Sequence, residues 1–229
     1  MDKGRGLWTA GRAGLLASVL GLLSFVHPFA AQAASSDYSG WRKSDGTPQS
    51  VMLSYYDGPD TRGFAWQTST SVSSGALWLL KGEWDSSTGN FDTNQVATAT
   101  STKQSTECYT HKAHVTGLSA GTWSYRLGTA SHYAYGKFEV RDRAKPFVAA
   151  NFSDVQMEKS EDLYMWKNAV TAACAVLGGG STADTVIYCG DFFDMNDSRP
   201  SEEQSKYVRW GVVADQARPE FADVAWTMA

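Results

Sequence analysis

Hydrophobic and polar positions divide the chain into three stretches. The first is short. Lys3, Arg5 and Arg12 precede an apolar run from Ala13 to Val26 that is broken only by glycine and serine, and Ala31-Gln32-Ala33 follows as a small-x-small site. That order is the layout of a secretory signal peptide, and the run is too short to span a bilayer. Residues 1–33 are therefore expected to be cleaved and the mature chain exported. Nothing later in the sequence resembles a transmembrane span.

From residue 36 to 142 the pattern is that of short strands. Ser50–Tyr55 and Gly63–Thr68 are strand-like runs separated by Asp57-Gly58-Pro59-Asp60, which has turn chemistry. Ala76–Leu80, His111–Val115, Thr122–Leu127 and Gly136–Val140 supply further strands. Such spacing predicts an antiparallel sandwich of about 100 residues. Arg141-Asp142-Arg143-Ala144-Lys145 reads as a charged surface linker.

The third stretch, 146–229, changes period. Pro146–Phe152 reads as a buried strand. Leu163, Trp166, Val170, Cys174 and Leu177 then recur at helical spacing up to Gly178-Gly179-Gly180. Thr185–Cys189 is a second buried strand. Ser201-Glu202-Glu203-Gln204 is a capping box for a helix whose inner face carries Tyr207, Trp210 and Ala214. Asp223–Ala229 enters a third strand. Alternating strands and helices predict a parallel sheet with crossovers. The fold class is thus two domains: an all-β sandwich followed by an α/β part.

Composition narrows the partners. The formal net charge is −4 with no basic block, so neither nucleic acid nor an anionic membrane surface is indicated. Three cysteines are too few for a disulfide scaffold, although an exported chain leaves a Cys174–Cys189 pair open.

The chemistry concentrates at two strand ends. Asp154 follows the first buried strand and Asp191 follows the second, after Gly190. Ligands bind at the carboxyl ends of parallel strands, and oxygen ligands there suit hard or borderline cations. Either aspartate alone is equally well read as a helix or turn cap. His111 and His114 lie three apart in a strand, face opposite ways and are read as ordinary strand residues. Trp66, Trp78, Trp84 and Trp123 serve a sandwich core or cross-strand pairs more simply than a carbohydrate site.

Ser153-Asp154-x-Gln156 and Gly190-Asp191-x-x-Asp194 resemble the first two blocks of calcineurin-like metallophosphoesterases. Tyr109–Gly128, with Gly117-Leu118 and Gly121-Thr122 at its turn, resembles the fibronectin type III-like N-terminal domain of purple acid phosphatases. So do Ser50–Leu53 and the Trp66-Gln67-Thr68 of the next strand. The resemblance implies an α/β domain of the αββα type and two metal ions, with Asp154 on one and Asp191 bridging both. It also implies a phosphate-ester substrate, which the signal-peptide layout would place outside the cytoplasm. Gln156 stands where the family often has His or Gly, and its amide oxygen is a weaker ligand than imidazole. Asp194 stands where the purple subgroup has Tyr, which favours a colourless site with Mn, Zn or Fe(II); it is either a metal neighbour or a loop cap.

The four histidines are His27, His111, His114 and His132, so none follows Asp154. The family's later His-bearing blocks are absent. Two strands and two helices leave Val186, Ile187, Trp210 and Trp226 short of cover. The sequence is therefore read as the front part of a longer enzyme, with little or no activity expected from this chain alone. One rival is a complete small protein whose sheet a partner finishes. Another is an exported, non-catalytic β-sandwich binding module with a vestigial α/β stub.

Overall fold

The computed structural model describes residues 45–85, 91, 94–104, 108–156, 160–177, 183–192, 214–215 and 223–228. The segment read as a signal peptide, Asp194 and most of the helix expected after Ser201 lie outside the described residues. The elements are β1 (Gln49–Ser54), β2 (Arg62–Thr68), β3 (Ala76–Lys81), β4 (Gln95–Thr98), β5 (Thr100–Gln104), β6 (Cys108–Val115), β7 (Gly121–Gly128), β8 (Tyr133–Val140), β9 (Ala149–Ser153), α1 (Ser160–Leu177), β10 (Thr185–Cys189) and β11 (Ala225–Met228). All the strands read from the pattern are present, but β9, read as buried, lies at the edge of its sheet with only Ala150 buried. β4 and β5 are additional.

The chain is mostly β, in two sheets. One runs β4-β3-β7-β8 and the other β5-β6-β2-β1-β11-β10-β9. The turn between β1 and β2 is closed by Thr61. Its hydroxyl accepts from the amides of Tyr56, Asp57 and Gly58 at 3.0–3.2 Å and donates to the Gly58 carbonyl at 2.7 Å. Val51, Leu53, Phe64, Leu77, Tyr125, Leu127 and Phe138 are buried in one cluster. Phe64 meets Tyr125 and Phe138 edge-on at 5.3 and 5.7 Å, the arrangement the ring quadrupoles favour.

The division expected from the sequence is not expressed as two separate sheets. β1 pairs antiparallel with β2 and parallel with β11, so Leu53 lies between Phe64 and Ala225. A single sheet therefore runs from the antiparallel into the parallel strands. The ladder between β1 and β2 is irregular between Gln49 and Met52, and Ser50 there has φ of +55°. This frees the Ser50 amide, which donates to the Asp215 carboxylate at 2.8 Å. Irregularities of this kind commonly turn a ladder outward.

The linker is more than a surface connector. Arg141 donates to both carboxylate oxygens of Asp184 at 2.7 and 2.6 Å, and Val148 donates to the same carboxylate. Both contacts come from Nη1 alone, a charge-assisted pair of short hydrogen bonds. The Asp184 carboxylate so held ties the entries to β9 and β10 together.

β9, β10 and β11 are parallel, with Cys189 opposite Ser153 as the last pair between β9 and β10. Trp166 and Val170 of α1 are buried with Ala150, Val186, Tyr188, Phe192 and Trp226. Cys189 carries a free thiol.

His111 is fully buried, whereas His114 is exposed and stacks on Tyr56 at 4.0 Å. The opposite-face reading holds, but His111 is not an ordinary strand residue. Thr68 Oγ1 donates to the Val72 carbonyl and so accepts from His111 Nε2–H at 2.7 Å. Nδ1 is left to accept from Ser101 at 2.7 Å. Burial pushes the imidazole down to about 4, against about 6.5 in an unfolded chain. The folded state thus refuses a proton that the unfolded chain takes. Stability from this group is complete above pH 6.5 and is lost as pH falls towards 4, by about 2–3 kcal/mol at pH 4.5. Urea titrations at pH 7 and pH 4.5 test this: His111→Gln should remove that part of the pH dependence, and an unchanged slope would contradict it.

Candidate functional site

The carboxyl ends of β9 and β10 lie side by side because the two strands are parallel and in register. The pairing continues past the strands. Asp154 donates its amide to the Cys189 carbonyl at 3.3 Å, and Gln156 donates to the Asp191 carbonyl at 3.2 Å. Asp154, Gln156 and Asp191 are all exposed at this sheet edge. The structure thus brings together three of the four residues named from sequence. The fourth, Asp194, lies outside the described residues.

The backbone here is unusual. Asp154 and Gln156 have φ of +47° and +45°, and Gly190 has φ of +93°. A non-glycine residue in the left-handed region costs of order 1 kcal/mol and persists only where its surroundings hold it. Gly190 is needed twice over. Its φ suits glycine, and a Cβ on it would lie 2.6 Å from Asp154 Oδ1 and 3.0 Å from Cγ. The missing side chain leaves the space that the Asp154 carboxylate occupies, which places that carboxylate directly against the residue before Asp191.

Tyr188 ties the two turns together. Its hydroxyl accepts from the Val155 amide at 3.0 Å and donates to the Asp191 carbonyl at 2.8 Å. Burial raises its pKa. The Val155 amide opposes that shift, and the charges of Asp154 and Asp191 add to it. Both carboxylates therefore act on one hydroxyl, and the phenol stays protonated and able to hold the loop. In sequence Tyr188 is only one member of a buried strand run; no local signal marks it as the residue that positions both aspartates.

Oxygen donors on adjacent strand ends suit a hard cation. The fit is partial. Among the described residues no group of three or more His, Cys, Asp or Glu side chains is placed to hold a metal. His111, His114 and His132 belong to β6 and the β7–β8 turn, not to this edge.

No protein-family model matches the chain, and no curated protein matches it. Among solved structures it is similar to a purple acid phosphatase isolated from yellow lupin (Lupinus luteus) seeds, with a TM-score of 0.55 and 13% identity. The match covers 80% of this chain and 35% of the phosphatase chain, so this chain spans about a third of that protein's length. At such identity the likeness is one of fold.

Proposed function

We propose that this chain belongs to a metal-dependent phosphoesterase that works outside the cytoplasm, with Asp154 and Asp191 as its cation-binding pair. The observation that carries the reading is that Asp154 and Asp191 follow neighbouring ends of the in-register parallel strands β9 and β10, the Asp154 carboxylate against Gly190 and both turns clipped by Tyr188. A fold like that of a purple acid phosphatase supports it. The export reading rests on the basic, apolar and small-residue order of residues 1–33. In this reading residues 36–142 are the sandwich and 146–229 the start of the catalytic α/β part.

Asp154 and Asp191 would hold the cation, with the Gln156 amide as a weaker neighbour. These are fewer donors than a six-coordinate cation takes, so water or further side chains complete the shell. One or two cations of the Mn, Zn or Fe(II) type, when bound, would supply an activated water and would neutralise charge on the phosphoryl group. The chain's own residues supply position. The register of β9 against β10 sets the two aspartates on neighbouring strand ends, and the protonated Tyr188 holds their loops together.

Calorimetric titration with inorganic phosphate, with and without Mn²⁺, tests the proposal. Phosphate should bind only when Mn²⁺ is present, and Asp191→Asn should abolish that binding while leaving the fold intact. Phosphate binding that ignores the cation, or survives Asp191→Asn, would overturn it.

A further inference from the structure

Among the described residues β9 ends the seven-stranded sheet on one side and pairs only with β10. An edge strand presents unpaired N–H and C=O groups, and proteins commonly blunt it with charge, proline or a bulge. The other three outer strands are blunted in this way. β5 carries Lys103, β8 carries Lys137 and Glu139, and β4 shifts register against β3 between Leu77 and Trp78. β9 reads Ala149-Ala150-Asn151-Phe152-Ser153, with no charge and no proline, and its register with β10 is unbroken.

The flanks of this edge are apolar. Phe147, just before β9, is 58% exposed, and Met165 of α1, beside Phe152, is 62% exposed. Ala150 and Phe152 lie on the face that α1 covers, in the cluster that holds Trp166. Ala149, Asn151 and Ser153 alternate with them and are exposed.

We infer that β9 is the contact strand of a symmetric dimer, in which two copies of the chain pair β9 antiparallel about Asn151. A two-fold axis normal to the sheet keeps each face on its own side. Ala149 then faces Ser153, Ala150 faces Phe152 and Asn151 faces its own image. This register is self-complementary. On the α1 face the small Ala150 leaves room for the Phe152 ring of the other copy. On the opposite face two Asn151 amides meet, and each carries both a donor and an acceptor. A charged residue there would oppose a like charge directly, which destabilises a strand pair. Both copies of α1 lie on one face, which brings the exposed Met165 side chains to the seam. Pairing ends at Ser153, so Asp154 and Asp191 stay open to solvent and the dimer does not depend on the phosphoesterase reading.

A five-residue strand edge with an apolar flank is a small interface, so a Kd on the order of 10 μM is expected. Sedimentation velocity of the full chain, from well below to well above that concentration, tests it. The wild-type chain should pass from monomer to dimer and stop there. Asn151 is exposed, so Asn151→Lys and Asn151→Asp leave the core untouched, and each alone should weaken dimerisation at least tenfold. An equimolar mixture of the two variants should associate one to one, because opposite charges then face each other across the axis. A wild-type chain that stays monomeric throughout would overturn the dimer and leave the edge to a strand of another protein. Dimers that survive both charges, a mixture that does not associate, or oligomers that keep growing with concentration would each overturn it as well.

Discussion

Trp166→Ala is expected to destabilise the protein by about 4 kcal/mol, within the range seen for truncating a buried Trp or Phe. Trp166 joins α1 to all three parallel strands. Its ring meets Phe152 of β9, Tyr188 of β10, Phe192 just beyond it and Trp226 of β11, at 5.2, 5.8, 5.0 and 5.9 Å. Each favourable aromatic pair adds roughly 0.5–1.5 kcal/mol beyond area burial, and the cavity left by alanine forfeits all of them at once. The loss should be local in character. Hydrogen exchange should show β9 and β10 amides losing protection before those of β3 and β7, because the sandwich core does not include Trp166. A urea midpoint shift worth less than about 1 kcal/mol would show that the cluster is not the keystone of the parallel strands.

Gly190→Ala is expected to act on both stability and chemistry. Holding alanine at φ of +93° costs about 1–3 kcal/mol. The added Cβ also overlaps the Asp154 carboxylate, whose nearest oxygen is 2.6 Å away. Either Asp154 swings out or the Gly190 turn opens, and overpacking of this kind costs a further 1–3 kcal/mol or so. The two together give about 2–6 kcal/mol, read from thermal melts. Divalent-cation affinity should fall at least tenfold by calorimetry, since one of two carboxylates is displaced. A variant of wild-type stability with wild-type Mn²⁺ affinity would contradict the cradle.

These two sites differ in how plainly the sequence announces them. Trp166 and Val170 fall on the helical spacing that the sequence shows, and the structure buries both. Asp154 and Asp191 were legible because each follows a run of buried-strand residues and Gly190 precedes one of them. The clip by Tyr188 was not, because Val155, 33 residues away in sequence, is brought to it only by the fold. Arg141 likewise reads as part of a linker until the fold brings Asp184, 43 residues away in sequence, within reach. β4 and β5 were missed for a physical reason. Their residues are largely exposed and polar, Gln95–Thr98 and Thr100–Gln104, so they carry no apolar alternation. The joining of β1 to β11 was also invisible, since backbone pairing between strands so far apart in sequence leaves no local pattern. Trp66 went as read, into the sandwich core. Trp78 took the other role read for it, a cross-strand pair: it is buried beneath the guanidinium of Arg126, its partner on β7, 4.2 Å from its ring.

The central claim is that Asp154 and Asp191 form one cation site. Paramagnetic broadening by Mn²⁺ in ¹⁵N–¹H spectra of the chain tests it most directly. At low Mn²⁺ the amide signals of Asp154, Gly190 and Asp191 should broaden first and together, and Asp191→Asn should abolish the broadening at Asp154 as well as at its own position. Broadening that begins elsewhere, or that persists at Asp154 in Asp191→Asn, would contradict the account.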